Sequence, residues 1–174
     1  MKIINILGEP SSGKSTTSAM LFALMKQKGF NVELVTEFAK ELLYDENITA
    51  FKNQDYVFAE QRKRITRLEG KVDYVITDSP LLLHLYYINQ NKTPRSLIPF
   101  MLDCIDEHEN IYFLLDRKHS YEDRGRFQNE EEAKKIRDSI KYILYEHNID
   151  FYDLTTDNDL VDKIHTLAML DKGK

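Results

Sequence analysis

Gly8-Glu9-Pro10-Ser11-Ser12-Gly13-Lys14-Ser15 has the spacing G-x-x-x-x-G-K-S, and those residue types at those positions suit the binding of a chain of phosphates. Gly8 and Gly13 can take backbone conformations closed to residues with a Cβ, so successive N–H groups can converge on an anion. Lys14 offers a compact cation to the β- and γ-phosphates, and the Ser15 hydroxyl offers a ligand to Mg²⁺. Ser11, Ser12 and Thr16 complete the expected nucleotide-binding set. The pattern carries meaning only between a strand and a helix, and both are predicted. Lys2 to Leu7 is a short Ile-rich run suited to a buried parallel strand. Thr16 to Gln27 forms helix readily, with Ala19, Met20, Ala23 and Leu24 at helical spacing. A helix starting here adds unpaired N–H groups and the positive end of its dipole. A nucleoside triphosphate is therefore the expected ligand, with ATP and Mg²⁺ as the expected pair.

Two carboxylates and a group of arginines could act on that ligand. Asp78 ends Val75-Ile76-Thr77-Asp78, where a carboxylate would hold the metal directly or through water. The same Asp, before Ser79-Pro80, could instead cap the next helix. Glu37 follows a second apolar run and could take the proton from an acceptor hydroxyl or orient it, and it could also simply open a helix. The segment Asp116 to Phe127 is dense in charge and has the makeup of a lid over about residues 117–128. Arg117, Arg124 and Arg126 are its candidates for stabilising a transferring phosphoryl group, with Gly125 allowing a bend. Lys14, Glu37, Asp78, Arg124 and Arg126 form the expected catalytic set. Gln61, Arg62, Lys63, Arg64 and Arg67 read as the solvated face of a helix, with Gln61 and Arg64 as possible acceptor contacts. His84 sits among apolar residues and is expected in or at the rim of the core. Cys104 and His108 lie four apart with no second pair to suggest zinc.

These residues need a scaffold that brings strand ends together, and the chain alternates in the required way. Strands are predicted at Asn31–Thr36, Val72–Thr77, Ile111–Leu115 and Ile149–Leu154 besides the first. Helices are predicted at Phe38–Tyr44, Gln54–Leu68, Leu81–Asn89, Ser96–Glu107, Glu130–His147 and Asp159–Leu170, the one from Glu130 carrying Ala133, Ile136, Ile140, Ile143 and Leu144 on one face. This is an α/β chain with a five-stranded parallel sheet, right-handed crossovers and helices on both faces. Ligands in such sheets sit beyond the carboxyl ends of the strands. The P-loop, Glu37, Asp78 and the arginine segment each directly follow an apolar run, and Thr155 to Asp157, after the fifth strand, is the expected place of the base.

Composition narrows the setting. The 174 residues suit one domain, 1–174, and no apolar run approaches a membrane span. The chain enters a strand at once, leaving no room for a signal peptide, and the lone Cys104 rules out an intramolecular disulfide; a cytoplasmic protein is expected. A net charge of −5 argues against a general nucleic-acid binder, although a basic groove would escape that argument. A small GTPase would need N-K-x-D after the fourth strand, where Leu114-Leu115-Asp116-Arg117-Lys118 stands, and Asn91-Lys92-Thr93-Pro94 lies upstream and lacks the Asp.

The P-loop, Thr36-Glu37-Phe38-Ala39-Lys40-Glu41-Leu42-Leu43, Val75 to Asp78 and Glu122 to Arg126 together resemble the small P-loop kinases related to the ribosylnicotinamide kinase domain, a group with many phage-encoded members. That group's E-[YF]-A-[RK]-E signature is met by Glu37 to Glu41. Its D-G-x-R signature is matched by Asp123 and Arg126 alone, because Arg124-Gly125 reverses the expected Gly position. The resemblance implies a P-loop NTPase fold of the nucleoside/nucleotide-kinase plan and an ATP-dependent phosphotransferase with an alcohol group as acceptor. Nicotinamide riboside, a nucleoside or a nucleotide would be that acceptor. Two other readings stay open: a phage-type kinase of a hydroxymethylated pyrimidine in DNA, for which Arg62, Lys63, Arg64 and Arg67 would line the groove, and an ATPase or regulatory ATP-binding module.

Overall fold

The computed structural model describes residues 1–90, 93–116 and 130–171. Its strands are β1 (Lys2–Leu7), β2 (Val32–Val35), β3 (Tyr74–Thr77), β4 (Glu109–Asp116) and β5 (Phe151–Thr155). They pair in the order β2-β3-β1-β4-β5, parallel throughout. Parallel strands are buried on both faces, which explains runs such as Ile-Ile-Asn-Ile-Leu. Ile3 and Leu7 face one core, and Ile4 and Ile6 the other. Asn5 is the polar exception, 2% exposed. Its Nδ2 donates to Asn110 Oδ1 at 2.9 Å, while Asn110 Nδ2 donates to Ile105 O at 2.7 Å, stitching β1 to the entry of β4.

The helices among the described residues are α1 (Lys14–Gln27), α2 (Phe38–Tyr44), α3 (Ile48–Lys52), α4 (Gln54–Thr66), α5 (Leu83–Gln90), α6 (Leu97–Asp106), α7 (Glu130–Glu146) and α8 (Leu160–Leu170). The strand order sends the chain from β1 toward one sheet edge and from β3 and β4 toward the other. Right-handed crossovers then put α1 on one face and α4, α5, α6 and α7 on the opposite face. The cores agree: Leu21 and Met25 of α1 pack with Leu160 and Ile164 of α8. Phe58, Ile65, Leu85, Met101, Ile140 and Leu144 pack on the other side. A small third cluster joins Phe38, Leu42 and Val57.

Several expectations shift. β2 and β3 are shorter than predicted, starting at Val32 and Tyr74. The polar stretch around Asn47 holds α3, whose first turn is capped by Asn47 Oδ1 accepting from Ala50 N–H at 3.2 Å. In α1 the buried residues are Thr17, Ser18, Leu21 and Met25, whereas Met20 is exposed. Next to the phosphate loop the helix lies close to the sheet, so small hydroxyl residues take the inner face there. On α7, Ile136, Ile140, Ile143 and Leu144 are buried as predicted, while the side chain of Ala133 is outside those described. No helix of the described residues is long and apolar enough to cross a membrane.

Candidate nucleotide and acceptor site

The loop between β1 and α1 owes its shape to three positive-φ residues. Gly8 has φ 151°, Ser11 67° and Gly13 83°, and Gly13 stands at the N-cap of α1. A Cβ on Gly8 would overlap Ser12 Oγ and lie 3.2 Å from Leu115 O, so only glycine fits there on both counts. Ser12 N–H donates to Glu9 O at 3.2 Å and Thr17 N–H to Gly13 O at 2.9 Å, closing the turn into the helix. Lys14 Nζ reaches back over the loop to Gly8 O at 2.9 Å and Glu9 O at 3.0 Å. Ser12 is buried and its Oγ has no hydrogen-bond partner among the described residues, while Ser15 and Thr16 are exposed on the first turn of α1. The result is a cradle in which a positive-φ turn leads into the N-terminus of α1 with an ammonium folded over it, an arrangement that suits a polyphosphate.

Asp78 leaves β3 directly beside this cradle, because β3 and β1 are hydrogen-bonded neighbours with Asn5 opposite Thr77. Its side chain is not what starts the following turn. Ser79 N–H is taken by Thr77 Oγ1 at 3.1 Å, and Leu83 N–H donates to Pro80 O at 3.0 Å. Asp78 is 5% exposed and its Oδ1 has no hydrogen-bond partner among the described residues. A buried carboxylate oxygen without a donor is costly unless a cation or ordered water faces it. Among the described residues no cluster of three His, Cys, Asp or Glu gathers to hold a metal. The donors present, Ser15 hydroxyl and Asp78 carboxylate, fit a Mg²⁺ that takes its remaining oxygens from phosphate and water.

Glu37 follows β2, whose Val35 lies opposite Thr77. It occupies the N-cap of α2 with φ −66° and ψ 114°, yet its carboxylate makes no capping bond to that helix. Burial, and then the Glu37 charge, push the Tyr87 phenol of α5 well above its usual range. Gln61, a possible acceptor contact by sequence, is instead 1% exposed and bonded to backbone. Its Oε1 accepts from Phe38 N–H at 2.9 Å, and its Nε2 donates to Thr36 O at 3.3 Å. Arg64 is likewise engaged: its two terminal nitrogens reach both oxygens of Glu41 at 2.6 Å, and its guanidinium lies 4.7 Å from the Phe38 ring centroid. The Arg64 hydrogen bonds hold the Glu41 carboxyl below its ordinary pKa. Arg62 is likewise paired with Glu107 and Lys63 with Glu60.

Glu9 and Arg137 carry no signal in the sequence. Glu9, inside the phosphate loop, is 4% exposed, and Arg137 Nε of α7 lies 3.8 Å from its Oε2. The same guanidinium lies 3.6 Å from Asp116 at the end of β4 and bonds Asp153 of β5, which also receives Lys141 at 2.6 Å. Arg137 thus ties the loop after β1 to the ends of β4 and β5. Thr156, in the stretch expected near the base, bonds Asp116 O through its N–H at 2.9 Å and its hydroxyl at 3.1 Å. Arg117, Arg124 and Arg126, with the whole lid expected over 117–128, lie outside the described residues.

A family model described as an AAA domain matches residues 3–159. No curated protein matches the chain significantly. Among solved structures, the fold is similar to that of NadR protein in complex with NR, at a TM-score of 0.73 and 18% identity, with 99% of this chain and 53% of that chain covered. It is also similar to thymidylate kinase from Ehrlichia chaffeensis, at a TM-score of 0.66 and 19% identity, with 97% and 96% covered. This chain therefore spans about half of the NadR chain and nearly all of the thymidylate kinase. At such identities the likeness is one of fold, and that fold is the α/β P-loop kinase plan.

Proposed function

The chain belongs to this AAA-domain family, and from that premise we propose that it is a single ATP- and Mg²⁺-dependent kinase domain that phosphorylates a hydroxyl of a nucleoside-like acceptor. The order of groups along the carboxyl edge of the sheet carries the reading. Glu37 after β2, Asp78 after β3 and the phosphate cradle after β1 stand on three adjacent strands. With strands about 4.8 Å apart, the ends of β2 and β1 are separated by about 10 Å, room for an acceptor hydroxyl to meet a γ-phosphate. Both structural likenesses, one to a protein holding NR and one to thymidylate kinase, support an acceptor of nucleoside or nucleotide type.

In this reading Lys14 and the amides of Gly8 to Thr16 bind and orient the β- and γ-phosphates. Ser15 and Asp78 would hold Mg²⁺, which neutralises charge on the phosphate oxygens. The acceptor oxygen forms a new bond to the γ-phosphorus while the bond to the ADP oxygen breaks, and Glu37 takes the hydroxyl proton. Arg124 and Arg126 are assigned to the transferring phosphoryl group on sequence alone. The pairing of Arg62, Lys63 and Arg64 with Glu107, Glu60 and Glu41, together with the net charge of −5, favours a small acceptor over duplex DNA, whose phosphates draw on a basic surface.

ADP release from ATP and Mg²⁺ should be followed against nicotinamide riboside, the common nucleosides and nucleoside monophosphates, and duplex DNA with and without hydroxymethylated pyrimidines. A strong rise with one small acceptor, lost in both Lys14→Ala and Glu37→Gln, is expected, with ATP binding retained in Glu37→Gln alone. Hydrolysis indifferent to every acceptor would overturn the kinase reading in favour of an ATPase or switch module.

A further inference from the structure

We propose that Gln61 is a positioning residue for Glu37, acting from α4 through the backbone on either side of it. The assignment rests on the kinase role of Glu37 given above. A side-chain amide has a donor end and an acceptor end, and Gln61 uses each on a peptide group flanking the same residue. Phe38 N–H is held at 2.9 Å and Thr36 O at 3.3 Å, so the peptides before and after Glu37 are gripped by one planar group. The grip is buried, with Gln61 1% exposed, which shields both bonds from competing water. Glu37 sits between β2, which ends at Val35, and α2, which begins at Phe38, at the N-cap where the extended backbone turns into the helix. Loss of the amide would remove a hydrogen bond from each of the two peptides that flank the carboxylate.

Arg64, one helical turn further along α4, completes the device. It clamps Glu41 through both carboxylate oxygens and covers the Phe38 ring. The first turn of α2 is thereby docked on α4 by Phe38 and Glu41, while Gln61 sets the junction that precedes it. Within Glu37-Phe38-Ala39-Lys40-Glu41, Phe38 and Glu41 are thus the residues gripped by α4. A carboxylate misplaced by about 1 Å can lose on the order of 100-fold in rate, so the clamp belongs to catalysis as well as to folding.

The test uses Gln61→Met, which keeps the length and volume and removes both hydrogen bonds. Expected is a fall in kcat of about 10- to 100-fold with the Kd for a non-hydrolysable ATP analogue unchanged within about twofold. In the Glu37→Gln background, Gln61→Met should change the residual rate by less than about twofold, because the group it positions is already disabled. Gln61→Glu provides a second arm: ionised, it repels Thr36 O, and protonated, it can donate to it. Its kcat relative to wild type should therefore recover as pH falls, which a packing defect would not do. A wild-type kcat in Gln61→Met, or an equal loss from it in the Glu37→Gln background, would overturn the proposal. Full turnover by Glu37→Gln itself would instead bring down the kinase role of Glu37, so the two failures are told apart.

Discussion

Replacing Asp78 with Asn should make the ligand-free protein more stable and its complex with Mg²⁺ and ATP weaker. Asp78 is 5% exposed and its Oδ1 has no hydrogen-bond partner among the described residues. A buried polar atom left unpaired costs about 1–3 kcal/mol, and more when it carries charge. Asn keeps the volume and gives up the charge, but its amide finds the same shortage of partners, so roughly a third to a half of the penalty is recovered, about 1 kcal/mol. In a chain of 174 residues this corresponds to a rise in Tm of about 2–4 °C. The assay is thermal unfolding of both proteins, first in EDTA and then with saturating Mg²⁺ and ATP. Ligand at about 100 times its Kd adds about 2.7 kcal/mol to the wild type, and a tenfold weaker affinity in Asp78→Asn removes about 1.4 kcal/mol of that gain. The order of Tm values should therefore reverse between the two conditions. A lower Tm for Asp78→Asn in EDTA would show that the fold itself satisfies Oδ1, and the argument that this carboxylate awaits a cation would fail.

Gly8→Ala should weaken ATP binding at least tenfold by calorimetry with the sheet intact by circular dichroism, since the new Cβ meets Ser12 Oγ and Leu115 O at a φ of 151°; unchanged affinity would mean the cradle opens freely. Arg137 and Glu9, 13% and 6% exposed as side chains and 3.8 Å apart, attract each other by about 4 kcal/mol at an effective dielectric of about 20. Arg137→Met should cost about 3 kcal/mol in urea unfolding, and adding Glu9→Gln should return at least 1 kcal/mol; strictly additive losses would deny the pairing. Burial lowers the pKa of His84 from 6.5 to about 4, and both its ring nitrogens lack partners among the described residues. The unfolded chain then binds the proton first as pH falls, so stability is full above about 6.5 and declines toward 4, by about 2 kcal/mol between pH 7 and 5. His84→Phe should flatten that slope in urea titrations at the two pH values, and an unchanged slope would assign it to other groups.

The P-loop and the five strands could be read from residue order because each leaves a local mark: two glycines at fixed spacing, and apolar runs too short for helices. The placement of Glu37 and Asp78 followed from the rule that parallel sheets present ligands at their carboxyl ends. What stayed hidden depended on tertiary contact. Gln61 reads in sequence as part of a solvated helix face and a possible acceptor contact, and nothing local says that its amide faces Thr36 and Phe38. Arg137 lies on α7, away from every strand end in sequence, yet reaches the phosphate loop. α3 escaped because it buries none of its residues and so shows no apolar periodicity. The inner face of α1 escaped for the opposite reason: Thr17 and Ser18 are buried where hydrophobicity points to Met20.

The third cluster, Phe38 with Leu42 and Val57, shares no residue with the two cores that clamp the sheet. Amides of α2 and α3 should accordingly exchange with solvent through a local opening that leaves β1, β3 and β4 protected. The same separation bears on how such a chain diversifies. Substitutions confined to this small cluster should leave the packing of the two larger cores unaltered. A scaffold divided in this way can change one side of its sheet edge without refolding the other.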